Sequence, residues 1–298
     1  MPPSAPRTRG RAAPTTRSIV INGRPLRVDV TNGPHTPRAL HVLPDAAAAP
    51  AAERVPLLLI SGIGASLDLL QPFVDKLPRS VEVIRFDPPG VGGSPAPAVP
   101  YRISGLCRLI ARMLAALGYA QADVLGISWG GGVAQHFAAF QRARCRRLIL
   151  VSTATGSLMV PARPAVLAHM VTPRRYLDPT YLRRVAPMLY GGSAREDPDR
   201  IREFMHAQSR VGSPKGYLYQ LAATAGWTSL PFLPLIRQPT LIMAGDDDPL
   251  VPLPNARLMH ALIPRSRLHV YHGGHLGLVT EAAEHAPVVS RFLGGHDE

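Results

Sequence analysis

The chain has 298 residues, room for one large α/β domain with its own core and an insertion within it. Hydrophobic residues make up 46% of it, yet no run reaches the roughly 18 consecutive apolar residues of a membrane span, so it reads as soluble and globular. The net charge of +13 comes almost wholly from arginine and is scattered in pairs such as Arg146-Arg147 and Arg183-Arg184, with no zinc-finger, RNP or helix-turn-helix pattern, which speaks against a nucleic-acid partner.

Residues 1–17 carry arginines with no apolar stretch behind them, so a mobile tail is expected rather than a secretory signal. Residues 18–21 and 26–30 read as a hairpin around Asn22-Gly23, and the Ala/Pro-rich stretch 44–50 as a loop. A short apolar run over 55–60 ends at Ser61-Gly62-Ile63-Gly64. Another over 81–86 is followed by Asp87-Pro88-Pro89-Gly90-Val91-Gly92-Gly93-Ser94, which neither helix nor strand would cross. Residues 103–117 have helical spacing and stop at Gly118. Then come a strand over 122–127, a helix over 129–141, strands over 147–152, 240–244 and 268–271, and a closing helix over 282–293. This alternation predicts a mostly parallel sheet flanked by helices. Cys107 and Cys145 are too few for a disulfide framework and fall in core-facing stretches.

The rhythm breaks over 154–237, which is rich in Pro, Arg, Met and aromatics at helical spacings without a convincing strand. It sits between two sheet strands and is expected to be a helical cap over the sheet edge. The core would then comprise 18–153 and 238–298.

Gly126-Ile127-Ser128-Trp129-Gly130 matches the G-x-S-x-G nucleophile elbow, with a strand before it and a helix after it. The nucleophile of such an elbow sits on a strained turn, so positions two residues either side must be nearly free of side chain. Helix N–H groups beneath Ser128 favour developing negative charge. A serine hydroxyl needs a base, and on this kind of fold the acid and then the histidine follow along the chain. Gly245-Asp246-Asp247-Asp248-Pro249-Leu250-Val251-Pro252 offers three acids. In related hydrolases the acid lies three residues past the glycine, which selects Asp248; Asp246 and Asp247 are expected to cap the next helix. Among eleven histidines, His275 in His272-Gly273-Gly274-His275 follows the last strand, on a loop whose glycines let the imidazole turn inward. The oxyanion donors expected are the backbone N–H groups of Trp129 and Ile63. No metal-ligand cluster and no dinucleotide fingerprint is present, so neither a metal nor a cofactor is expected.

From about Leu57 to Phe292 the chain resembles the intracellular medium-chain-length poly(3-hydroxyalkanoate) depolymerases, a family of the α/β-hydrolase superfamily. Gly62-Ile63-Gly64-Ala65, the 86–94 loop FDPPGVGGS, Pro100-Tyr101-Arg102, GISWGG at 126–131 and AGDDDPLVP at 244–252 carry the likeness in the core. In the expected cap it rests on Met159-Val160-Pro161, Pro173-Arg174-Arg175-Tyr176, Leu189-Tyr190-Gly191-Gly192 and Gly226-Trp227-Thr228-Ser229. Departures are Ser61, where other hydrolases carry His or Asn, the run Gly130-Gly131-Gly132, and the longer N-terminal tail. The resemblance implies the triad Ser128, Asp248 and His275, and hydrolysis of stored polyester to 3-hydroxy acids. It also implies residence on cytoplasmic granules, where a granule-associated protein is a candidate partner. Gly62, Met159, Tyr190 and Trp227 are expected to contact substrate. Met170, Tyr176, Tyr181, Met188, Phe204, Met205, Tyr217 and Tyr219 add an apolar face to the cap. The competing readings are a carboxylesterase or cofactor-free perhydrolase acting on soluble esters, and a non-catalytic ligand receptor on the same fold.

Overall fold

The computed structural model describes residues 16–31, 55–208 and 212–295. Eight strands form one sheet: β1 Thr16–Ile21, β2 Arg24–Thr31, β3 Leu57–Ile60, β4 Val83–Phe86, β5 Ala122–Ile127, β6 Cys145–Val151, β7 Thr240–Gly245 and β8 Ser266–Tyr271. Their order across the sheet is β1-β2-β4-β3-β5-β6-β7-β8. The six strands from β4 to β8 are parallel, and the β1–β2 hairpin adds to β4 antiparallel. Asn22 and Gly23 both take positive φ (53° and 71°), as a tight hairpin turn requires.

Twelve α-helices accompany the described strands. Before β7 they are α1 Gln71–Lys76, α2 Ile103–Ala116, α3 Trp129–Phe140, α4 Pro164–Ala168, α5 Arg174–Leu177, α6 Pro179–Tyr190, α7 Ser193–Glu196, α8 Pro198–Gln208 and α9 Pro214–Thr224. After it come α10 Pro254–Leu262, α11 Gly277–Thr280 and α12 Ala282–Leu293. Side chains alternate across the parallel strands and build two cores. Leu58, Ile60, Val124, Leu148, Leu150 and Ile242 pack on α2, α3 and α10. Leu57, Leu59, Leu125, Ile149, Val151 and Met243 pack on α1, α11 and α12. Strands buried on both faces read as continuous apolar runs, and β5 and β7 are buried at every position.

The chain passes from β4 over β3 to β5, so the sheet reverses its winding between β3 and β5. A crevice opens outside the strand C-termini at such a point. Residues after β3 and β5 flank it, and the loops after β7 and β8 complete its far side.

The loop 86–94 braces this crevice. Asp87 accepts hydrogen bonds from the backbone N–H of Leu67 (2.7 Å) and Gly93 (2.8 Å) and from Arg27 (3.1 Å). Arg27 also bridges to Asp68 at 2.7 Å. Burial raises the Asp87 pKa, while these donors work in the opposite direction. Gly92 has φ +52°, and any Cβ there would strike the Asp87 carboxylate, so this turn requires glycine.

Two expectations change. Thr16 and Arg17 pair with Asp29 and Val28, so they belong to β1 rather than to the tail; residues 1–15 and the stretch 44–50 lie outside the described residues. The helix over 254–262 and the helical turns over 67–76, which the sequence reading left without an element, are present. Between β6 and β7 the described residues form six short helices and a 3-10 turn, and the one strand-like pairing among them is an isolated bridge, Gly156 with Thr228.

Candidate active site

Ser128 stands at the junction of β5 and α3 with φ 54° and ψ −121°, outside the conformations an ordinary residue prefers. Close packing holds it there. A Cβ on Gly126 would strike the carbonyl of Gly130, and one on Gly130 would strike that of Ile60. The Ser128 N–H donates to the Val151 carbonyl (2.9 Å), and its own carbonyl accepts from the Thr153 hydroxyl (2.7 Å). Gly131 leaves room for that threonine, and the Trp227 ring lies against Gly132, which accounts for the triple glycine.

The structure brings the three expected side chains together. His275 Nε2 lies 3.0 Å from Ser128 Oγ, and His275 Nδ1 lies 2.8 Å from Asp248 Oδ2. Asp248 is 6% exposed and His275 4%, so little water competes for this relay. The second Asp248 oxygen accepts from the backbone N–H groups of Leu250 and Val251, which fixes the carboxylate plane.

The neighbouring acids do not cap the next helix. Asp246 accepts from Gly273 N–H (3.1 Å) and pairs with His272 (3.1 Å), tying the β7 loop to the β8 loop. Asp247 accepts from Gly192 N–H (2.7 Å) and Arg195 (2.8 Å), tying that loop to the end of α6. Each of the three aspartates therefore has its own task. The Tyr190-Gly191-Gly192 turn sits directly on both loops: Cβ atoms on Gly191 or Gly192 would strike Asp247 or Gly274 backbone. The His275 N–H donates to the Tyr190 carbonyl (2.7 Å).

On the other side of Ser128, a Cβ on Gly62 would come 3.5 Å from the serine Cβ. The 62–64 loop thus runs beside Ser128, where the Ile63 N–H was expected. The next peptide is clamped at both ends. The Ile63 carbonyl accepts from Tyr176 Oη (2.7 Å), and the Gly64 N–H donates to Gln220 Oε1 (2.7 Å). The Gln220 backbone carbonyl also accepts from the Trp129 indole (3.0 Å). Gln220 is fully buried on α9 and was not anticipated; only a polar residue amid the apolar positions of that helix hinted at it. Ser61 is buried beneath the loop, its hydroxyl 3.5 Å from the Ser66 carbonyl.

The cavity at Ser128 measures about 30 Å³, room for roughly two waters. Gly62, Ile63, Leu69, Met170, Tyr176, Tyr190, Met205 and Leu250 line it, with the buried Arg175 among them. Burial pushes the Tyr190 phenol well above its ordinary pKa, so it stays neutral. Gly62 and Tyr190 therefore lie where substrate contact was expected. Met159 and Trp227 do not. Val160, next to Met159, is held by Asn255 on α10 through both backbone groups. Trp227 packs on His136 and Phe232 against α3. Tyr181, Met205 and Tyr217 are buried rather than forming an outer face. Cys107 and Cys145 are buried thiols, and burial raises their pKa.

A strained serine at a strand–helix turn, backed by histidine and aspartate from later strand ends, is the arrangement of an α/β-hydrolase. Residues 55–282 match the family model of the alpha/beta hydrolase fold, and the chain belongs to that family. It is 50% identical over 239 residues to the poly(3-hydroxyalkanoate) depolymerase of Ectopseudomonas oleovorans, covering 80% of this chain and 84% of that one. It is 30% identical over 260 residues to the 2-hydroxymuconate semialdehyde hydrolase of Pseudomonas sp., covering 81% and 88%. Among solved structures, the enol-lactonase from Burkholderia xenovorans superposes with a TM-score of 0.75 at 22% identity, over 93% of this chain and all of that one; that likeness speaks for the fold alone.

Proposed function

We propose that this chain is a poly(3-hydroxyalkanoate) depolymerase that cleaves the polyester through an acyl-enzyme on Ser128. The observation that carries the reading is the Ser128–His275–Asp248 relay, in a chain whose 50% likeness to a depolymerase spans 80% of its length.

In the proposed reaction His275 Nε2 takes the Ser128 proton as Oγ attacks the ester carbonyl. Asp248 orients the ring through Nδ1 and stabilises the imidazolium. The N–H groups of Ile63 and Trp129 receive the oxyanion. His275 then protonates the leaving alcohol, and water activated by the same ring releases the acyl part from Ser128 as its carboxylic acid.

In this reading the 154–237 segment is a cap whose helices supply the pocket wall through Met170, Tyr176, Tyr190 and Met205. The small cavity requires the cap to shift before an acyl chain of medium length enters. Apolar side chains are exposed on that segment at Leu158, Val160, Leu167, Val171, Leu177 and Leu218. Such residues suit contact with an insoluble apolar polymer, which supports action at the surface of cytoplasmic granules. Among the described residues no helix is long and apolar enough to cross a membrane.

The test is clearing of a medium-chain polyhydroxyalkanoate latex by the wild type and by Ser128→Ala, with a poly(3-hydroxybutyrate) latex in parallel. Clearing of the first alone, lost in the variant, is the expected result. Hydrolysis of nitrophenyl octanoate through Ser128 with neither latex cleared would instead make the protein an esterase of soluble substrates.

A further inference from the structure

Arg175 is the one charged side chain in the pocket wall outside the relay. It sits on α5, 2% exposed. Among the described residues no carboxylate partners it: Nη1 donates to Tyr217 Oη at 2.8 Å, and Nε has no partner. The Tyr217 hydroxyl in turn donates to the Met170 carbonyl. The guanidinium carbon lies 4.6 Å from the Tyr176 ring centre and 5.3 Å from that of Tyr217.

A guanidinium is charged at every working pH and carries five N–H donors. Burying one without a counter-charge is strongly unfavourable. Two tyrosine faces offset part of that cost. The other two buried arginines among the described residues are paired, Arg85 with Asp29 and Arg27 with Asp68 and Asp87. The exception lies in the wall of the cavity that holds Ser128 and His275, so the missing anion belongs to what enters the cavity.

A poly(3-hydroxyalkanoate) chain is neutral along its length. Its one anion is the carboxylate at its acid end, shared by every 3-hydroxy acid released. Resting on the depolymerase reading, we propose that Arg175 is a carboxylate receptor that binds the acid end of the chain and directs Ser128 to the ester nearest that end. The acyl carbon–oxygen bond of that ester breaks, and the departing oxygen takes from His275 the proton removed from Ser128. The terminal unit leaves as a 3-hydroxy acid, and the shortened chain stays on Ser128 until water releases it with a new carboxyl end. Degradation then proceeds from the acid end, and the free product competes for Arg175.

The test compares kcat/KM on the linear dimer of 3-hydroxyoctanoate and on the methyl ester of that dimer. A hydrogen bond to a charged group makes the wild type prefer the free acid by about 10- to 100-fold. Arg175→Met should bring the ratio close to one, and Arg175→Lys should keep part of it. A role confined to packing the cap would lower both rates and leave the ratio alone. Should the variants fail to fold, the wild type decides: 3-hydroxyoctanoate should inhibit competitively and its methyl ester should not. Equal wild-type rates on the two dimers, or a ratio unmoved in Arg175→Met, overturn the proposal while the depolymerase reading stands. Failure on both dimers and on latex, with nitrophenyl octanoate still cleaved, removes the depolymerase reading and this inference with it.

Discussion

The two sides of Ser128 are held in place by different means. The acid and histidine loops are locked to the end of α6 by backbone contact, through glycines at 191, 192 and 274 that admit no side chain. The 62–64 loop is held instead by side chains reaching across from the helical segment, Tyr176 to the Ile63 carbonyl and Gln220 to the Gly64 N–H. A steric lock tolerates almost no change because packed atoms cannot yield, whereas a hydrogen-bonded clamp can be weakened one bond at a time. Both fasten the same helical segment, so movement of that segment would act on both ends of the relay.

Five substitutions probe this contrast. Ser128→Ala, which removes the atom both sides serve, should lower kcat by on the order of 10⁴- to 10⁶-fold with Tm unchanged. Retained turnover by the pure variant would remove Ser128 from the reaction. Gly191→Ala strains a φ of +60° and drives a methyl into the Asp247 carbonyl. It should cost about 3 kcal/mol of stability in denaturant unfolding; a stability equal to wild type would mean the lock is loose.

On the clamped side, Gln220→Leu leaves the Gly64 N–H unsatisfied, and kcat should fall by about 10-fold or more. Tyr176→Phe removes one bond and should reduce kcat by about three- to tenfold. If either variant matches wild-type kcat, the clamp does not position the oxyanion loop. The smallest effect belongs to Asp246→Asn. Asp246 raises the pKa of exposed His272 above its ordinary 6.5, and His272 holds Asp246 below its usual value. A raised histidine pKa stabilises the fold below pH 6.5, and the gain is lost as pH rises through the raised value. The acid's share is lost only as pH falls through its depressed pKa. The Tm gap between wild type and variant should therefore be widest in mildly acidic buffer and close toward alkaline pH. A gap that is flat with pH would refute the pairing.

Much of this was legible along the chain. A strand with every position apolar, such as β5, announces burial on both faces, and the elbow glycines announce a turn too tight for side chains. The order of serine, aspartate and histidine then follows from where the strand ends fall. Trp227 and Met159 were misplaced because both lie in irregular stretches between helices, where no periodicity says which way a side chain turns. Gln220 and Arg175 were passed over for the converse reason: a polar residue in a helix reads as solvated until its neighbours are known.

The local pattern of residues by itself determined the α/β alternation and singled out Ser128, Asp248 and His275, because each depends on spacing and chain order within a few residues of a strand end. Only the tertiary structure decided the separate tasks of the three aspartates, the clamp on the 62–64 loop and the burial of Arg175 without a carboxylate partner among the described residues. Those depend on residues tens of positions apart meeting in a low-dielectric interior, where a group's partner, and not its type, sets what it does.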